Sequence, residues 1–260
     1  MNHQMISVHA DARIGKNVTI SSFSTIHGNV VIGDNTWIGP NVVIMDGARI
    51  GNNCRIFPGA VIAGDPQDLK YKGEDTLLEV GDNTIIREYV TLNRGTASTG
   101  KTVIGSDCLI MAYVHIAHDC YIGNHCIIGA YSALAGEIHV DDWAIVSGAT
   151  LVHQFVSIGS HVFIGAAGKV RMDVPPFIKA DREPLSYMGV NAVGLQRRNF
   201  SSEKIAEIHE IYRILYLKGL NNTQAIQLIE KDFVPSAERD AILSFVKNSK
   251  RGVIRGYHQE

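Results

Sequence analysis

The chain has 260 residues, 45% of them hydrophobic and 19% charged, with a formal net charge of −2. That length can bury a substantial core in one or two domains, and the near-neutral balance excludes nucleic acid and an anionic membrane surface as default partners. No basic leader followed by an apolar run opens the sequence, and no apolar stretch is long enough to span a bilayer. A cytoplasmic protein without an integral membrane segment is therefore expected.

From the N-terminus the dominant feature is a repeat of six. Starting at Val8, an aliphatic residue recurs at Ile14, Ile20, Ile26 and onward to Ile62, again at Val80, Ile86 and Leu92, and from Ile104 to Val170. Only Asp68, Glu74 and Ser98 break the register. The position four after each aliphatic is usually small or β-branched, as at Val18, Ser24, Val30 and Thr36. Cys54, Cys108, Cys120 and Cys126 all occupy it and form no Cys-x-x-Cys pair, so structural thiols are expected, with no metal site and no cofactor. A period of six fits neither a helix nor a simple strand. Each unit reads as a short strand with the aliphatic and the small residue inward, followed by a turn whose conformation Gly, Asn or Asp supplies. Such units cannot bury their inner faces alone, so they must stack into a parallel solenoid, three units to an eighteen-residue coil.

Two breaks interrupt the stack. Residues 63–79, "AGDPQDLKYKGEDTLLE", replace two aliphatic positions with acids and read as a loop carrying Asp68, Lys70 and Lys72. Loops on a rigid scaffold are favoured places for binding residues. A second, Gly-rich excursion begins at Asn93, "NRGTASTGK", and is as readily a tolerated insertion as a functional one. After Val170 the Pro-rich "DVPPFIKADREPL" leads out of the repeat. From Ser201 the pattern turns helical: Ser201 or Ser202 caps a helix with Ile205, Ile208, Tyr212 and Leu215 on one face, ending near Gly219. Further helices are expected near Thr223 and at Ser236. Residues 1–170 carry 10 basic and 15 acidic side chains and residues 171–260 carry 14 and 11, so the C-terminal part is mildly basic. That suits an acidic partner or an ordinary solvated helix surface.

The stretch "HIAHDCYIGNHCIIG", His115 to Gly129, crowds polar chemistry into the repeat. His118 sits two after Ile116, in the turn rather than the core. An eighteen-residue coil stacks it with Gly136 and Gln154, flanked by columns of Ala117, Ala135 and His153 and of Asp119, Glu137 and Phe155. Small residues leave room and polar ones converge on it, as a groove would require. An imidazole there is suited to take the proton of an attacking alcohol, Asp119 to orient the ring, and the bare Gly136 amide to hold an oxyanion. No serine or cysteine nucleophile is needed for acyl transfer to a hydroxyl. Taken in isolation, His118 reads first as a turn histidine bonded to backbone; the column points away from that.

Hexapeptides of this kind resemble those of the left-handed β-helix acyltransferases, from residue 8 to about 172. The left hand comes from that resemblance, because parallel crossovers are generally right-handed. It implies a mainly β fold: a left-handed parallel β-helix of hexapeptide repeats over 1–185, with excursions at 63–79 and 93–103, followed by an α-helical C-terminal domain over 186–260. The segments "QDLKYKGE" (67–74), "HIAHDC" (115–120), "LAGE" (134–137), "LVHQF" (151–155), "DVPPF" (173–177) and "GVNAVGLQRRNF" (189–200) are similar to those of the UDP-N-acetylglucosamine O-acyltransferases. That family moves an (R)-3-hydroxyacyl chain from acyl carrier protein to the 3-hydroxyl of UDP-N-acetylglucosamine, the first step of lipid A biosynthesis, as a homotrimer with sites between subunits. The resemblance implies His118 as general base, Asp119 as its assistant and Gly136 as oxyanion donor. It also places Asp68, Lys70, His115, Glu137, His153, Gln154, Asn191, Arg197 and Arg198 at positions that contact the sugar nucleotide or the acyl-phosphopantetheine arm. Tandem guanidiniums beside a helix start suit phosphates. Glu137 departs from the histidine the family often carries, and Ala166 stands where residue size limits the acyl chain.

Two rivals share the solenoid. The N-acyltransferase of the same pathway carries a uridine-binding domain ahead of its repeat, for which a repeat starting at Val8 leaves no space. A trimeric hexapeptide carbonic anhydrase binds zinc through three histidines across a subunit boundary. His115 and His118 imitate part of that set, but no motif supplies a third ligand and His125 falls on another face.

Overall fold

The computed structural model describes residues 5–256. Residues 1–4 and 257–260, including the start read above for a leader, lie outside the described residues.

Each hexapeptide forms a two-residue strand and a turn. Stacking these strands gives three parallel sheets that wall a left-handed triangular prism. Among the described residues they hold nine, eight and eleven strands, the last count including three strands beyond the repeat, and are called here the first, second and third sheet. The register is that of the repeat: His115, Ile116 pair with Ala133, Leu134, and these with Leu151, Val152. Both inward positions are sealed, with Ile38, Ile56, Ile86 and Ile128 and the small residues Val42, Cys54, Val90 and Cys126 fully buried. Among the described residues no coil lies beneath the first, and Val8 and Ile14 are correspondingly exposed.

The corners follow the expected turn chemistry at Asn and Asp but not at Gly. The left-handed residue lies three after the aliphatic, where Asn17, Asn35, Asn53 and Asp107 take φ of 56–58°; Asn and Asp tolerate that conformation best after glycine. The glycine directly after the aliphatic is needed for space. A Cβ on Gly105 would lie 2.5 Å from the Gly123 carbonyl oxygen in the next coil, and one on Gly123 2.4 Å from Asp142 Oδ1.

The two interruptions both leave the prism at the corner between the first and second sheets. Ile62 pairs with Leu92, thirty residues on, and Leu92 with Ile116, twenty-four on, where an ordinary coil takes eighteen. The extra twelve and six residues are whole numbers of repeat units, which is why the aliphatic phase survives them. Strands Val61–Gly64 and Leu77–Val80 bound the first excursion, and Thr91–Asn93 and Lys101–Ile104 the second. Both are thus shorter than the sequence pattern suggests.

Strands Ile178–Asp181 and Ser186–Val190 form an antiparallel hairpin that extends the third sheet, so the change from sheet to helix falls at Asn191. Four helices follow among the described residues: α1 (Ala192–Arg197), α2 (Ser202–Leu217), α3 (Asn222–Asp232) and α4 (Ala237–Asn248). Ser201, Asn221 and Ser236 cap the last three through their side-chain oxygens. Helix α2 buries Ile205, Ile208, Tyr212 and Leu215, and the Tyr212 hydroxyl donates to the Pro176 carbonyl at 2.5 Å, fixing the helices to the end of the prism.

Candidate active site

His118 and Asp119 lie at the corner between the first and second sheets, in the coil directly after the two excursions. His118 Nδ1 is 2.8 Å from Asp119 Oδ2, and the two side chains are 9% and 0% exposed. The imidazole rests on Gly136 of the next coil, whose missing side chain makes room for it: a Cβ there would be 2.6 Å from His118 Cε1 and 2.8 Å from Nε2. The Glu137 amide donates to the His118 carbonyl, whereas the Gly136 amide donates to nothing among the described residues. The column 118, 136, 154 is therefore a physical stack, and His118 is paired through its ring to a carboxylate rather than through it to backbone.

The second excursion supplies what holds Asp119. Its Oδ1 accepts from the Thr96 amide (3.0 Å), the Thr99 amide (3.2 Å) and the Thr99 hydroxyl (2.5 Å), and its Oδ2 from the Thr96 hydroxyl (2.6 Å). Burial pushes the Asp119 carboxyl up, but the hydrogen bonds from Thr96, Thr99 and His118 outweigh it and keep the group below the usual carboxylate range. Thr96 and Thr99 went unread in the sequence, where an excursion of small polar residues looks like any tolerated insertion. Arg94 went unread as well. Its guanidinium pairs with Asp65 (2.8 Å), donates to the Tyr71 hydroxyl and reaches the Asp46 carbonyl, tying the first excursion down.

The remaining residues named from sequence divide among the prism's three corners. Asp68 and Lys70 ride on the first excursion, Asp68 Oδ1 accepting the Lys70 amide at 2.9 Å. His115, on the outer face of the first sheet, shares a 2.7 Å hydrogen bond with the Thr91 hydroxyl, and burial lowers its pKa. Glu137 is half-buried and in the left-handed conformation, while His153 is exposed with Nδ1 3.1 Å from the Gln154 carbonyl. Asn191, Arg197 and Arg198 lie elsewhere, at the corner between the second and third sheets. Asn191 caps α1 and donates to the His161 carbonyl at 3.0 Å. Arg198 stacks 5.1 Å over the Trp143 ring and lies 3.2 Å from His161 Nδ1. The two arginines close α1 just ahead of the Ser201 cap of α2, and they diverge: Arg197 is exposed and Arg198 is turned onto the aromatic column. Ala166 is at the third corner, exposed between strands Phe163–Ile164 and Lys169–Val170. His125 stacks on Trp143 at 4.0 Å, away from His115 and His118, and among the described residues no three His, Cys, Asp or Glu side chains converge as a metal site.

His161 carries a consequence for pH. Burial, with Arg198 beside it, pushes its pKa down to about 4. The unfolded chain then binds more protons than the folded one between about 4 and the ordinary histidine value near 6.5. Stability should fall as pH drops through that window. His161→Phe, which keeps the stacking on Trp143 and Phe177, is expected to flatten the dependence of Tm on pH there. Equal slopes for the two proteins would show that His161 does not titrate in this way.

Comparison with known proteins matches this architecture. The bacterial transferase hexapeptide model fits residues 29–64 and 101–136, and the model for the second domain of UDP-N-acetylglucosamine O-acyltransferase fits 173–254. The acyl-[acyl-carrier-protein]–UDP-N-acetylglucosamine O-acyltransferase of Thiobacillus denitrificans is 41% identical over 191 residues, 73% of this chain and 74% of that protein. The chain belongs to the UDP-N-acetylglucosamine O-acyltransferase family. The solved UDP-N-acetylglucosamine acyltransferase of Bacteroides fragilis superposes with a TM-score of 0.96 at 49% identity, covering 98% of this chain and all of that one. Its counterpart from Francisella novicida gives 0.94 at 40% identity, covering 98% and 94%. As a member of this family the chain is an acyltransferase, and its C-terminal helices belong to the family's architecture as much as the prism does. No helix among the described residues is long and apolar enough to cross a membrane.

Proposed function

We propose that the protein transfers an (R)-3-hydroxyacyl chain from acyl carrier protein to the 3-hydroxyl of UDP-N-acetylglucosamine, in the cytoplasm, as the first step of lipid A biosynthesis. The observation that carries the reading is the His118–Asp119 pair set against Gly136 in a chain about 40% identical to enzymes named for this transfer. His118 Nε2, the nitrogen not engaged by Asp119, takes the proton of the sugar hydroxyl as its oxygen attacks the thioester carbonyl carbon. The carbonyl electron pair moves to oxygen, and the Gly136 amide receives the resulting oxyanion. Collapse restores the carbonyl and breaks the carbon–sulfur bond, and the departing phosphopantetheine thiolate takes the proton back from His118. The ester and the free thiol leave without a covalent enzyme intermediate. Cys120, the thiol beside the pair, supports that assignment: burial pushes it up to about 12, and it donates into the core to the Ala135 carbonyl.

Asp68, Lys70, His115, Glu137, His153, Gln154, Asn191, Arg197 and Arg198 are assigned to the sugar nucleotide and the phosphopantetheine arm. Because they occupy two corners of one prism, with Ala166 on the third, one substrate meets all of them only where corners of different copies face each other. That supports a homotrimer with shared sites; a clean monomer by light scattering would remove the shared-site arrangement.

Acyl length is assigned to Ala166. Methionine there should fill the end of the chain's path, so Ala166→Met is expected to shift the preferred donor to a shorter chain; an unchanged length profile would place the ruler elsewhere. The test of the whole reading is transfer of labelled 3-hydroxyacyl chains of several lengths from acyl carrier protein to UDP-N-acetylglucosamine. Formation of the 3-O-acyl product supports it. A folded trimer that transfers nothing to this acceptor overturns it and redirects the search to other acceptors.

A further inference from the structure

The second excursion surrounds one carboxylate with donors that cannot all be reversed. Two of the groups on Asp119 Oδ1 are backbone N–H, from Thr96 and Thr99, and these only donate. On Oδ2, the Thr96 hydroxyl oxygen is itself occupied by the Ser98 amide at 3.1 Å, which directs its proton to Asp119. The Thr99 hydroxyl has a second acceptor in reach, the Lys101 carbonyl at 2.9 Å, but Asp119 Oδ1 is nearer at 2.5 Å. With four donors from the excursion in place, the proton between Asp119 Oδ2 and His118 Nδ1 has only one favourable owner, the imidazole.

We propose that Thr96 and Thr99 are positioning residues of the transfer reaction: their donors keep Asp119 an anion, which holds the proton on His118 Nδ1 and leaves the Nε2 lone pair free to act as base. The proposal rests on the assignment of His118 as base. It gives the six added residues of that coil a purpose, because an ordinary turn, such as the one at Glu137, brings no such ring of donors. Neither threonine touches the substrate in this scheme; each acts through Asp119.

The test combines kinetics with the tautomer itself. Thr96→Val/Thr99→Val removes both hydroxyls at nearly constant volume, and its kcat is expected to fall on the order of 10²-fold, within the range a general base supplies, with little change in KM for UDP-N-acetylglucosamine. In protein labelled with ¹⁵N-histidine, the His118 signals, assigned by their loss in His118→Gln, should report Nδ1–H in the wild type and a population of Nε2–H in the double variant. Thr96→Ser/Thr99→Ser keeps both hydroxyls and should restore kcat and tautomer. Should the valine pair not fold, Thr99→Val alone, at the more exposed position, replaces it. An unchanged tautomer in a folded valine variant overturns the proposal, whether kcat falls or not, as does a serine pair as slow as the valine pair. The spectrum reads the tautomer whichever acceptor the enzyme uses, so absence of transfer by the wild type would count against the proposed function and leave this test standing.

Discussion

His118→Ala is expected to lower kcat for acyl transfer by about 10²–10⁴-fold, the usual worth of a positioned general base, with little effect on KM and only a modest loss of Tm. The stability half follows from where the residue sits. The core-facing positions of its unit are Ile116 and Cys120, both buried and untouched, while His118 rests in the turn between them. The activity half follows from its ring. Nδ1 is committed to Asp119 at 2.8 Å, so the remaining nitrogen is the one free to exchange a proton, and alanine removes it outright. What rate survives would come from substrate placement and the Gly136 amide. Two of the imidazoles along this corner or its flank are also candidate site residues. His115 is tied to Thr91 and its pKa is lowered by burial, and His153 is exposed with Nδ1 on backbone. An alanine variant as fast as the wild type would pass the role of base to one of these.

Much of this arrangement was legible in the sequence because a solenoid converts spacing into space. A period of six fixed which residues face inward, and eighteen fixed which stack, so His118 over Gly136 followed from arithmetic. The two insertions hid less than they might have, since twelve and six added residues return the chain to the same phase. What the repeat could not carry was everything outside its own grammar. Thr96 and Thr99 reach Asp119 only because their excursion folds back onto its own corner, and Arg94 reaches Asp65 and Tyr71 for the same reason. Nothing in "NRGTASTGK" announces either contact. The directions of the two arginines were hidden for another reason. Neighbours in sequence at a helix end point in different directions, so Arg197 is exposed while Arg198 lies over the Trp143 ring and beside His161, contacts that spacing alone does not show. Glycine was read for conformational freedom where packing between coils sets the requirement.

Gly136→Ala should be nearly as damaging as loss of the histidine, with kcat down on the order of 10²-fold or more, although it adds one methyl group and removes no functional one. Alanine keeps the amide N–H, so the donor assigned to the oxyanion is retained, and Gly136 is not among the residues with positive φ, so the backbone accepts the change. The methyl itself is the obstacle, because its carbon would stand 2.6 Å from His118 Cε1 and 2.8 Å from Nε2. Contacts that close cannot persist, and the coil around Gly136 is fixed by the ladder on both sides. The imidazole must therefore swing away, breaking its hydrogen bond to Asp119 and removing Nε2 from the substrate. If that is the cause, the effect belongs to the ring, and adding Gly136→Ala to His118→Ala should cost little further. A full additional loss in the double variant would instead mean that the backbone at 136 had moved and that the oxyanion position was damaged too. A single variant with wild-type kcat would show that His118 does not occupy this position during catalysis.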